Sequence, residues 1–163
     1  MMRLLKILTL TFCFFLFPSH VFAQSKTVQP QFGIGISLGL PTGLHVFARD
    51  IGIRGLGIRV DIGELLTPVG SGYYPAVNVE YHFADPRGIG FYVGLGLFAL
   101  KGIGQTSTFP STEYPWLFGV QGYIGFELGV LFLELGWMES FFASDGISSR
   151  SSPRGGLGLQ FYF

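Results

Sequence analysis

The chain has 163 residues, is formally neutral, and combines 48% hydrophobic residues with only 12% charged ones. That length supports one domain, and basic residues scattered along the chain exclude a nucleic-acid-binding class. The single cysteine, Cys13, lies in the N-terminal apolar stretch, so disulfide and Cys-based metal chemistry are excluded from the rest of the chain.

Arg3 and Lys6 precede an apolar run of about eleven residues from Ile7 to Phe17, and Val21-Phe22-Ala23 offers an A-x-A-like processing site. The expectation is a secretory signal over 1–23, cleaved after Ala23, followed by one domain over 24–163. A signal anchor is the competing reading, but a spanning helix needs about 20 apolar residues. Pro18, Ser19 and His20 interrupt this run. Cys13 is followed by Phe14 rather than closing the signal, so no lipid anchor is expected. Without Arg3 and Lys6 the remainder carries about −2.

Beyond the signal, apolar and polar or small residues alternate with period two in eight segments, the pattern of strands with one apolar face. The first, Gln31 to Leu40, puts Phe32, Ile34, Ile36, Leu38 and Leu40 on one face and Gly33, Gly35, Ser37 and Gly39 on the other, and Pro41-Thr42-Gly43 turns the chain. The second, Leu44 to Asp50, sets Leu44, Val46 and Ala48 against His45, Phe47 and Arg49. The third, Leu56 to Glu64, sets Leu56, Ile58, Val60 and Ile62 against Gly57, Arg59, Asp61 and Gly63, and a loop from Leu65 to Pro75 follows. The fourth, Ala76 to Phe83, sets Val77, Val79, Tyr81 and Phe83 against Asn78, Glu80 and His82, and ends at the turn Asp85-Pro86-Arg87-Gly88.

The fifth, Ile89 to Leu100, sets Ile89, Phe91, Val93, Leu95 and Leu97 against Gly90, Tyr92, Gly94 and Gly96, before a polar loop from Lys101 to Pro115. The sixth, Trp116 to Glu127, sets Trp116, Phe118, Val120, Ile124 and Phe126 against Gly119, Gln121, Tyr123, Gly125 and Glu127. After Leu128-Gly129, the seventh, Val130 to Glu139, sets Leu131, Leu133, Leu135 and Trp137 against Phe132, Glu134, Gly136 and Met138. A second polar loop, Ser140 to Pro153, leads to the eighth, Arg154 to Phe163, with Leu157, Leu159, Phe161 and Phe163 opposite Gly156, Gly158, Gln160 and Tyr162.

Eight alternating strands can close either as a soluble cup with the apolar face inside or as a membrane barrel with it outside. An eight-stranded barrel has an interior only wide enough for side chains to fill, and the bulky apolar face here exceeds it. The opposite face, rich in Gly with a few charged and amide residues, suits a cramped interior. The expected fold class is therefore all-β: a closed antiparallel eight-stranded transmembrane barrel, with outer-membrane lipid as its surroundings. Connections after even segments are short and those after the third, fifth and seventh are long, which puts the long ones outward. Tyr73, Tyr74, Tyr114, Trp116 and Trp137 are then expected at the outer rim as an aromatic girdle.

The eight strands and the stretch Leu159-Gln160-Phe161-Tyr162-Phe163 resemble small bacterial outer-membrane barrels of the outer-membrane protein A and X type. Gly39-Leu40-Pro41-Thr42-Gly43-Leu44 and Phe132-Leu133-Glu134-Leu135 resemble a group of such barrels with no established activity. The resemblance implies an outer-membrane location and reading of Phe161 and Phe163 by the barrel-assembly machinery. It implies no peptidoglycan binding, because the sequence stops at the eighth strand.

Charges on the inward face must be paired or hydrated. Folding the third and fourth segments about their loop places Arg59 opposite Glu80 and Asp61 opposite Asn78, and the Leu128-Gly129 turn places Tyr123 opposite Glu134; registers within two residues serve equally. The structural reading is a network of Arg59, Glu80, Glu134, Tyr92, Tyr123 and Gln160 that plugs the lumen, joined by Asp61, Arg49 and His45. The functional reading of the same residues is a narrow polar path for ions or very small solutes.

A lipid-modifying enzyme would need a Ser/His/acid set on the lipid-facing surface near the outer rim, and the sequence places none there. His82 reads as a rim histidine near the inner turn. Gly33-Ile34-Gly35 and Gly94-Leu95-Gly96 echo a dinucleotide fingerprint, but no helix follows them. Dispersed acidic residues and two histidines after the signal imply neither metal nor cofactor. The expected function is non-enzymatic, structural or surface-contact, with the outer loops facing any extracellular partner. The sequence assigns no oligomeric state.

Overall fold

The computed structural model describes residues 29–67, 70–83, 89–103, 113–143 and 150–163. Eight antiparallel strands close on themselves in sequence order: β1 (Gln31–Leu40), β2 (Thr42–Arg49), β3 (Leu56–Thr67), β4 (Gly70–His82), β5 (Ile89–Ile103), β6 (Glu113–Leu128), β7 (Leu131–Ala143) and β8 (Arg150–Tyr162). The ring closes where β8 pairs with β1, Leu40 opposite Gly155 at one end and Gly33 opposite Tyr162 at the other. Closure gives every strand two neighbours, so no long sheet edge is left open. The signal over 1–23 and the turn Asp85-Pro86-Arg87-Gly88 lie outside the described residues.

Alternation sets the inside and the outside. Phe32, Ile34 and Ile36 of β1, Val77 and Val79 of β4, Leu97 of β5 and Leu133 and Leu135 of β7 are exposed, while His45, Arg59, Asn78, Glu80, Tyr92, Gln121 and Glu134 are buried. Val79 is 53% exposed beside Glu80 at 3%, an inversion of the water-soluble pattern repeated around the ring. The exposed face is apolar and the polar groups are enclosed, the arrangement that lipid selects.

β1 begins and ends where its alternation does, but the other strands run further outward than their alternation suggests. The connections expected over Leu65–Pro75, Lys101–Pro115 and Ser140–Pro153 are partly strand: β3 and β4 pair out to Thr67 opposite Gly70, and β7 and β8 out to Ser140 opposite Arg150. Backbone pairing needs no apolar face, so the ladder continues after the hydrophobic pattern has stopped. At the inner end, Gly129 (φ 61°) opens the two-residue connection between the paired Leu128 and Leu131. Asp50 (φ 60°) turns the chain after β2, and its Oδ1 accepts the Gly55 N–H at 2.5 Å.

Candidate functional site in the barrel lumen

The inward face is built from small residues that make room and long ones that fill it. Tyr123 of β6 lies over Gly94 of β5, where a Cβ would collide with its ring, and Gly125 stands in the same relation to Tyr92. Those glycines let two phenol rings cross the lumen and reach carboxylates. Tyr92 Oη donates to Glu134 Oε1 at 2.6 Å and Tyr123 Oη to Glu80 Oε1 at 2.6 Å.

Arg59 of β3 is the centre of the charged layer. Its Nε lies 2.9 Å from Asp61 Oδ1 and its NH1 3.0 Å from Glu80 Oε1, while NH1 also pairs closely with Glu134 and NH2 donates to Glu134 Oε2 at 3.1 Å. Arg154 of β8 approaches the same groups from the far wall, with NH2 2.9 Å from Glu134 Oε2 and 3.6 Å from Asp61 Oδ2. Its guanidinium sits 4.0 Å from the centroid of the Tyr123 ring, a cation–π contact away from water. Asn78 Nδ2 donates to Asp61 Oδ2 at 2.7 Å and Gln121 Nε2 to Asn78 Oδ1 at 2.5 Å. Tyr74 Oη donates to Gln121 Oε1, which links the charged layer to the outer end.

Two further layers complete the filling. Outward, Tyr74, Ala76, Phe98 and Met138 form an apolar plug with Leu65 and Leu100 against it. Inward, His45 packs on Phe47 and edge-on to Phe132, and Phe47 on Tyr162, while Glu127 accepts from Gln160 Nε2 at 2.7 Å and Tyr162 Oη at 3.1 Å and pairs with Arg49 NH1 at 3.4 Å. A cavity beneath the β1–β2 turn, bordered by Asp61, Tyr74, Glu134 and Arg154, measures about 10 Å³, room for one water.

All nine inward residues singled out from the sequence face the lumen, but in two groups. Arg59, Asp61, Glu80, Glu134, Tyr92 and Tyr123 are joined in the middle; Arg49 and Gln160 meet at Glu127 near the inner end, and His45 lies in the aromatic layer. The pairing register is displaced by two residues from the expected one: Arg59 stands opposite Asn78, Asp61 opposite Ala76 and Tyr123 opposite Gly136. Arg59 still reaches Glu80 diagonally because its side chain is long, whereas Tyr123 meets Glu80 rather than Glu134.

Tyr74 is not at the rim but fully buried, since β4 starts ahead of Pro75 and its alternation turns Tyr74 inward; Tyr73, Trp116 and Trp137 do face outward. Tyr114's side chain lies outside the described residues. His82 is buried at 6% exposure between two carboxylates instead of sitting on a solvated rim. Asn78, expected opposite Asp61, does meet it, while Arg154, Glu127 and Gln121 join the network without having been expected there, although each holds an inward position in its alternating segment. Among the described residues no group of three or more His, Cys, Asp or Glu has the arrangement of a metal centre.

Eight closed antiparallel strands with an apolar exterior and a polar interior are the architecture of small outer-membrane β-barrels. The crystal structure of the N-terminal β-barrel domain of Pseudomonas aeruginosa OprF is similar, with a TM-score of 0.53 at 14% identity, covering 82% of this chain and 96% of that one. Neisserial surface protein A (NspA) gives a TM-score of 0.49 at 12% identity, covering 82% of this chain and 94% of that one. No protein-family model matches the sequence, and a sequence search of curated proteins finds no match.

Proposed function

We propose that the chain is an integral protein of a bacterial outer membrane, non-enzymatic, with a structural or surface-contact role and a lumen closed by its own side chains. The observation that carries this reading is the cross-lumen network. Arg59 of β3 and Arg154 of β8 meet Glu134 of β7, and Asn78 of β4 meets Gln121 of β6, so charged and amide groups are tied from wall to wall. Such groups in a narrow interior are held at the cost of 3–5 kcal/mol or so if one partner is lost, which favours a plug over a path.

In this reading the exposed apolar band takes outer-membrane lipid, and the exposed Phe161 of β8 and Phe163 just after it serve the barrel-assembly machinery. The outward ends of the strands are the surface offered to an extracellular partner. Expressed in a Gram-negative host, the protein should fractionate with outer membranes and run differently on gels before and after boiling. In planar bilayers it should pass no steady current at neutral pH. A stable detergent-free soluble monomer would overturn the membrane assignment, and a steady ohmic current would replace the plug with a pore.

A further inference from the structure

Among the described residues the lumen encloses three arginines, Arg49, Arg59 and Arg154, and four carboxylates, Asp61, Glu80, Glu127 and Glu134. Asp50 is also buried, but its carboxylate accepts Gly55 N–H in the β2–β3 turn, apart from the others. The ion pairs form two clusters: Arg59 and Arg154 with Asp61, Glu80 and Glu134 in the middle, and Arg49 with Glu127 toward the inner end. One side chain bridges them. His82, at the inner end of β4, has Nε2 3.2 Å from Glu80 Oε2 and Nδ1 3.3 Å from Glu127 Oε1.

Both facing atoms are carboxylate oxygens, which accept and do not donate, whereas a neutral imidazole carries only one N–H. A doubly protonated ring carries an N–H on each side, hydrogen-bonded to Glu80 through Nε2 and facing Glu127 as an ion pair through Nδ1, and supplies the fourth cation for four carboxylates. The groups around the ring agree with that role. Glu80 lies on its own strand, Tyr92 of β5 stacks on it with centroids 4.9 Å apart, and Glu127 comes from β6. Behind these, Arg49 of β2 and Gln160 and Tyr162 of β8 hold Glu127, Tyr123 of β6 and Arg59 of β3 hold Glu80, and Glu134 of β7 accepts from Tyr92. No cation other than His82 joins Glu127 to the central cluster among these contacts.

We propose that His82 is a proton-dependent latch between the two ion-pair clusters, which keeps the inner mouth of the lumen shut while its ring is protonated on both nitrogens. The inference rests on the closed-lumen reading above. Loss of one proton turns a ring lone pair toward Glu80 or Glu127 and frees that carboxylate from the bridge. Glu80 also holds Arg59 and Tyr123, so the loss of the bridge loosens the central cluster together with the inner end.

The test uses the whole mature barrel refolded into planar bilayers, recorded between about pH 6 and pH 9, with nitrogen NMR of the labelled histidines in micelles and the His82 signal assigned by its loss in His82→Gln. Both ring nitrogens of His82 should be protonated at the lower pH. The fraction of time open should rise about tenfold toward the higher pH as that proton leaves. His82→Gln, which carries no positive charge at any pH, should open at all pH values as the wild type does when alkaline. A wild type that stays silent at every pH, or a pH response preserved in His82→Gln, overturns the latch and leaves the closed lumen standing. A ring that is neutral throughout also overturns it, whether or not the variant folds. A wild type that conducts equally at both pH values overturns the closed-lumen reading itself, and the latch with it.

Discussion

Arg59 shows how much one side chain can organise when water is excluded. It is 3% exposed and touches Asp61, Glu80 and Glu134, with the Tyr123 ring 4.9 Å from its guanidinium carbon. Glu80 in turn is held by Tyr123 and His82. Removing either member of the Arg59–Glu80 pair leaves a buried charge short of a partner, a loss of about 3–5 kcal/mol. Arg59→Met and Glu80→Gln should therefore each destabilise the barrel in urea-driven unfolding from vesicles, and the double variant should recover much of the loss through a favourable coupling. Additive losses would mean that the two groups do not act on each other. Recovery should be incomplete, because Arg59→Met also leaves Asp61 and Glu134 with Arg154 as their one remaining cation among the described contacts. The inward charges are legible in the sequence because alternation assigns each residue a side of the wall; their partners are legible only in part, since Arg59 meets Glu80 and Asp61 meets Asn78 as expected, but a shift of two residues keeps the same face and turns Tyr123 from Glu134 to Glu80. Arg154 illustrates the limit: its alternating segment places it inward and it lies diagonal to Glu134 of the neighbouring β7, but nothing local says that it also reaches Tyr123 of β6.

At the scale of the strand, period two carried most of the information. β1 coincides with its alternating segment from Gln31 to Leu40, and even the short, weakly patterned β2 turns His45, Phe47 and Arg49 inward. The pattern fails at the outward ends, where strands project past the lipid and neither face need be apolar. That is why β5 and β6, paired as far as Ile103 opposite Glu113, extend beyond the alternation in Ile89–Leu100 and Trp116–Glu127. It is also why the pattern puts Tyr74 at the rim: the alternation starts after Pro75, while in the structure Pro75 lies within β4, opposite Ile62 of β3. The lipid-facing assignment makes a depth prediction. Val77 stands near the middle of its strand, opposite Val60 on one side and Leu97 on the other, and is 53% exposed. Val77→Arg should cost about 2–4 kcal/mol in bilayer unfolding, whereas the same change at Ser151, on the outward part of β8, should cost about 0–1 kcal/mol. Equal tolerance at both sites would reverse the inside and outside of the barrel.

For the whole molecule, closure is the decisive property, and it depends on a seam between the first strand and the last. Gln160 N–H donates to Val130 O on the β7 side at 2.8 Å, and Phe163 N–H donates to Phe32 O on the β1 side at 2.9 Å. By the alternation of an antiparallel ladder, odd-numbered N–H groups of β8 point toward β1 and even-numbered ones toward β7. The β1 ladder ends at Leu40 opposite Gly155, and the proline in β8, Pro153, falls beyond that end on an odd position where no β1 partner exists to receive an N–H. The chain thus places the residue that cannot donate where donation is not needed. Phe161, opposite Ile34, has the same parity but lies inside the seam. Phe161→Pro should break a closing hydrogen bond, and Ser151→Pro, beyond the end of β1, should not. Refolding into detergent from urea removes any contribution of cellular assembly, and Phe161→Ala separates loss of the ring from loss of the N–H. In that setting Phe161→Ala and Ser151→Pro should both keep the difference in gel mobility before and after boiling, while Phe161→Pro should lose it and expose β1 and β8 to proteolysis before the other strands. If Phe161→Pro instead folds as well as Phe161→Ala, the β1–β8 pairing does not hold the ring closed, and the closure inferred from this register fails with it.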